Sequence, residues 1–118
     1  MTDTTLRTQI FGLLGLDSQN LGLSAPRVVG IEDYHGWQIE RLVFQGQGGS
    51  GEDVPGAFLR PPKGAERVPA VIYAHAHGNA YQTGSAELFQ GRPSLQAPYA
   101  PDLVAAGIAA LCIDLPAF

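Results

Sequence analysis

Between residues 5 and 14 the apolar side chains Leu6, Ile10, Leu13 and Leu14 recur three and four positions apart. That spacing lines one face of a helix and predicts a short amphipathic one, with Gly15 as its stop. A polar loop follows. Residues 28–32 and 37–44 are then rich in β-branched and aromatic side chains on either side of His35-Gly36, the pattern of an antiparallel hairpin. Residues 45–53, QGQGGSGED, have nothing with which to pack a core and predict a flexible connection. A third antiparallel strand is expected at 54–60, where apolar residues return before Pro61-Pro62.

The run at 68–74 lacks polar alternation, as a strand covered on both faces of a parallel sheet would, and it ends at His75. Residues 77–100 are too long for a simple connection and predict an elaborated loop with one helical turn around 86–89. Pro101-Asp102 opens a helix through Ala106, Gly107 marks its exit, and 108–114 read as a second buried strand. The expected architecture is α/β: an antiparallel meander leading into parallel strands joined by a right-handed crossover helix. Ligands of such sheets gather at the carboxyl ends of the parallel strands, which places His75, His77 and Asp114 at the functional edge. The chain divides into an amino-terminal helix and loop, 1–24, and a sheet region, 25–118.

A length of 118 residues leaves room for one domain, and 45% hydrophobic against 15% charged residues suits a chain with a core to bury. Fifteen glycines and nine prolines require abundant turns. The net charge of -4, without a basic run, argues against nucleic acid as a partner, because phosphate-backbone affinity comes from Lys and Arg. The sequence shows neither an apolar run long enough to span a membrane nor the apolar centre of a signal peptide, and the expectation is a soluble, cytoplasmic protein without a membrane partner. Cys112 has no second cysteine to pair with, which fits a reducing compartment, and its place within a strand predicts a core position.

The stretch VPAVIYAHAHGNAYQTG carries the most chemistry. An apolar strand runs into His75-Ala76-His77-Gly78-Asn79, where Gly78 permits a turn that side chains resist. Such a turn can aim backbone N–H groups outward, the donors that acyl transfer needs as charge builds on the carbonyl oxygen.

In these residues, in the loop containing ELFQGRP, in the helix at 101–106 and in the strand IAALCIDLPAF, the sequence resembles the α/β-hydrolase family, specifically its dienelactone-hydrolase-like and acyl-esterase-like members. The resemblance covers residues 28–118 and implies the amino-terminal portion of an α/β-hydrolase fold. It also implies hydrolysis of an ester or similar acyl bond in a small-molecule substrate, without a cofactor or metal. The oxyanion-hole donor would be His77 on one alignment and Asn79 on the other, with Gly78 shaping the turn and His75 supporting the loop. In 114–118 an alanine stands where the family usually has glycine. The family's nucleophile lies in a Gly-x-Ser-x-Gly turn, and none of Ser18, Ser24, Ser50, Ser85 or Ser94 does. The expectation is a truncated, amino-terminal half of the enzyme that lacks serine, acid and base. Alone it would be inert, and it would pair with the missing carboxy-terminal half or with copies of itself.

Two other classes compete. A non-catalytic interaction protein would use the truncated sheet's open edge to bind another chain or form a homo-oligomer. A metal-dependent hydrolase would use His75 and His77, whose spacing is similar to the His-x-His-x-Asp-His motif of metallo-β-lactamase-like hydrolases. In that frame Asn79 and Ala80 replace ligands, and only His35 remains elsewhere. Plainer roles stand beside the sharp ones: His75 as a core histidine bonded to backbone, Asp114 as a loop anchor, and Trp37 and Phe44 as meander core. Tyr81, Glu87 and Arg92 read as solvated loop residues, with substrate contact as the sharper role for Tyr81 and Glu87 and pairing with an unplaced carboxylate as that for Arg92.

Overall fold

The computed structural model describes residues 3–15, 25–45, 53–76 and 82–115. It opens with helix α1, Asp3–Leu13, and continues with strands β1, Arg27–Tyr34, β2, Trp37–Phe44, and β3, Val54–Arg60. Strand β4, Ala70–Tyr73, is followed by a 3-10 turn at Gly84–Ala86 that runs into helix α2, Glu87–Gln90. Helix α3, Ala100–Ala106, and strand β5, Ala109–Ile113, complete the described elements.

The five strands form one sheet in the order β1-β2-β3-β5-β4. β1, β2 and β3 are an antiparallel meander. Its first turn is closed by His35 and Gly36, both at positive φ (51° and 80°), the pair of left-handed residues that a tight hairpin between twisted strands requires. β5 inserts antiparallel beside β3, and β4 lies parallel to β5 with Tyr73 opposite Cys112. The parallel strands expected from the sequence are therefore a single pair in a mostly antiparallel sheet. The β4-to-β5 connection carries α2 and α3, as βαβ geometry demands. Proline in its first turn opens α3, and left-handed Gly107 ends it.

The core is Leu59, Leu88, Ala100, Ala110 and Cys112, with Tyr34, Trp37, Tyr73, Phe89, Leu103 and Val104 packed against it. It sits where α2 and α3 cover β3 and β5. Cys112 is fully buried, as its strand position predicts.

One expectation from apolar patterning is corrected. The strand at 68–74 is shorter, and Ile72 is 83% exposed on β4, so the strand is not covered on both faces among the described residues. Helix α1 forms where its stripe predicts it, yet Leu6, Ile10, Leu13 and Leu14 are all exposed. An apolar stripe selects the helix but does not guarantee a surface to cover it. Among the described residues no helix is long and apolar enough to cross a membrane.

Candidate functional site

Tyr73 is the last residue of β4, and the chain beyond it is held by the side chains of Glu87 and Arg92. Tyr73 directs its hydroxyl to Glu87 Oε2 at 2.6 Å, and the Ala76 backbone N–H donates to both Glu87 oxygens at 3.2 and 3.3 Å. Arg92 forms an ion pair with Glu87 through Nε, and its Nη2 donates to the Ala76 carbonyl at 2.5 Å. Glu87 is only 2% exposed, so the reading of it as a solvated loop residue is corrected: it is the charged centre of a buried cluster. The solvated reading of Arg92 is corrected in the same way: its side chain is 3% exposed, and Glu87 is the carboxylate partner. The pair persists in low dielectric because each charge meets the other and further hydrogen bonds satisfy the carboxylate. Burial first, and then the Glu87 carboxylate that takes its hydrogen bond, push the Tyr73 phenol far above its ordinary range.

A second set of contacts ties the exits of β4 and β5 together. His75, 3% exposed, accepts the Leu115 backbone N–H at Nε2 (2.9 Å), and its Nδ1 lies 3.1 Å from the Ala76 carbonyl. The imidazole is thus in the tautomer with its proton on Nδ1. Both ring nitrogens of His75 face backbone, and His77, the other residue of the metal-dependent alternative, lies outside the described residues. Among the described residues no group of three His, Cys, Asp or Glu side chains gathers as a metal site. Asp114, just past β5, accepts the Ser85 N–H at 2.6 Å. Gly84 makes that approach feasible: its φ is +50°, and a Cβ there would stand 2.7 Å from Asp114 Oδ1.

Of the residues singled out by sequence, the structure brings together His75, Asp114, Glu87 and Arg92 at the carboxyl edge of β4 and β5. His77, Gly78, Asn79 and Tyr81 lie outside the described residues. Trp37 packs against the core from the meander. Tyr73 was missed as a polar partner, although its position at the end of an apolar run was a signal for a hydroxyl needing an acceptor. Beside this edge an open cleft of about 520 Å³ is lined by Gln82, Thr83, Gln90, Arg92 and Gln96 among others.

No family model matches the sequence. Among curated proteins, "Putative hydrolase YtaP" of Bacillus subtilis (strain 168) is 32% identical over 109 residues, covering 92% of this chain and 36% of YtaP. Among solved structures, a crystal structure described as a "putative acetyl xylan esterase" from Bacteroides fragilis NCTC 9343 superposes with a TM-score of 0.65 at 20% identity. That match covers 97% of this chain and 29% of the esterase chain. The chain thus spans about a third of the length of the relatives it matches. Its mixed α/β fold, with a mostly antiparallel five-stranded sheet, is similar to that of the esterase structure.

Proposed function

We propose that this chain contributes the oxyanion-donor edge of a serine-dependent α/β hydrolase that acts on ester or similar acyl bonds. The observation that carries the reading is the doubly held Ala76: its N–H is taken by Glu87 and its carbonyl by Arg92, one residue before the candidate donor segment 77–79. Electrostatic stabilisation of a tetrahedral intermediate depends on donors fixed in advance, and a gripped strand exit is how a loop's amides are fixed. Ala76 itself cannot be a donor, since its N–H is already used. His77 and Asn79 remain the candidates, with His75 supporting the loop. The esterase-like fold and the similarity to a named hydrolase support the acyl-transfer class and favour the acyl-esterase-like side of the resemblance. The nucleophile, base and acid would come from polypeptide outside these 118 residues, because no serine here stands in a Gly-x-Ser-x-Gly turn.

The test is an NMR titration of the isotopically labelled chain with methylphosphonate, a small tetrahedral anion. Shifts at the amides of residues 77–79, with none at Ala76, are expected; silence at 77–79 would oppose the reading.

The exposed Ile72 and Val71 on edge strand β4 favour a second reading, an interaction protein whose open strand pairs with another polypeptide or a second copy. Light scattering after size exclusion separates the two: a stable monomer counts against self-pairing.

A further inference from the structure

We infer that Glu87 is a positioning residue for acyl transfer, its carboxylate acting through Arg92 and the Ala76 peptide to fix the direction in which the chain leaves β4. The inference rests on the acyl-transfer reading and adds a residue to it.

Ala76 is itself exposed, yet both polar groups of its backbone are gripped by side chains that are almost wholly buried. The N–H meets both oxygens of Glu87, and the carbonyl meets Arg92 Nη2 at 2.5 Å and His75 Nδ1 at 3.1 Å. Peptide groups are planar, so a carbonyl held by these donors fixes the plane of the bond leading out of Ala76. Glu87 is the common element: it takes the N–H directly and orients Arg92 toward the carbonyl. Stability alone is a weak reason for such a cluster, because a buried ion pair can often be exchanged for apolar side chains of similar volume without loss. What apolar side chains could not do is hold the two successive peptide groups that meet at Ala76. The carboxylate is in turn oriented by Tyr73 from the strand, so the grip is referenced to the sheet and not to the loop. The 3-10 turn that delivers Glu87 is itself anchored, through Ser85 N–H and Asp114, to the end of β5.

The experiment follows amide exchange and the methylphosphonate titration in the labelled 118-residue chain, native and Glu87→Gln. The substitution keeps the shape of the side chain and removes the charge that holds Arg92. Expected is Ala76 exchange about tenfold faster, with β5 amides changed far less, and a loss of at least half the titration shift at 77–79. A purely structural role would speed Ala76 and the β5 amides together, and that result overturns the proposal. So does faster Ala76 exchange with an unchanged titration. If Glu87→Gln does not fold, Arg92→Lys carries the same test, since lysine keeps the charge but cannot reach Glu87 and the carbonyl as a fork. A native chain whose 77–79 amides ignore the probe overturns the acyl-transfer reading and the proposal with it, whereas a native response that survives Glu87→Gln overturns the proposal alone.

Discussion

Leu115 donates its backbone N–H to Nε2 of His75, forty positions earlier, and this single bond joins the exits of the two parallel strands. The imidazole must keep Nε2 unprotonated to accept it. Direct detection of the ring tautomer by long-range nitrogen–proton correlation is expected to show the proton on Nδ1. His75→Ala, which removes the acceptor and a buried ring, is expected to lower stability by about 1–3 kcal/mol in urea denaturation.

The Glu87–Arg92 pair makes a sharper demand. Removing one member strands a buried charge, so Arg92→Met should destabilise by about 3–5 kcal/mol, and Glu87→Leu by a similar amount. The double variant is expected to recover most of that loss. A thermodynamic cycle over the native chain and the three variants checks the coupling, and additive losses would contradict it.

Gly84 is the position least tolerant of a side chain in the described loop. Its backbone lies at φ +50° and a Cβ would collide with the Asp114 carboxylate, so Gly84→Ala should cost about 1–3 kcal/mol and weaken the Ser85–Asp114 bond. Loss of protection at the Ser85 amide reports the second effect.

Burial first, and the nearby Asp114 charge second, push the Cys112 thiol from its ordinary 9.0 up to about 11. The neutral thiol is the form that folding favours. Its contribution is complete below about pH 9 and is lost as pH rises towards 11, because the unfolded chain sheds the proton more readily. Denaturation midpoints are expected to fall across that interval, and the fall should be smaller in Cys112→Ala. At pH 8 a thiol reagent should modify Cys112 only after unfolding.

The sequence made the meander and the final helix and strand legible because their signals are local. His35-Gly36 closes a hairpin by its own backbone preference, and Pro101 and Gly107 frame α3 in the same way. The carboxyl-edge location of His75 and Asp114 followed from strand order alone. Glu87 was misread because its environment is made by Tyr73, fourteen residues before it, and by Arg92; no periodicity in a four-residue helix reports partners brought by tertiary folding. Ile72 was misread for the opposite reason. Apolar strand composition states what a strand can bury, and among the described residues nothing lies over Ile72 to bury it.

The most direct test of the oxyanion-edge account is ester hydrolysis by this chain fused to the part of YtaP that the match does not cover. p-Nitrophenyl acetate is the substrate, with His77→Pro and Asn79→Pro compared in folded protein. Proline deletes a backbone N–H, so one of the two substitutions is expected to lower kcat by about 10²-fold or more while the other retains most of the activity. Full activity in both would contradict the assignment of the donor to this edge.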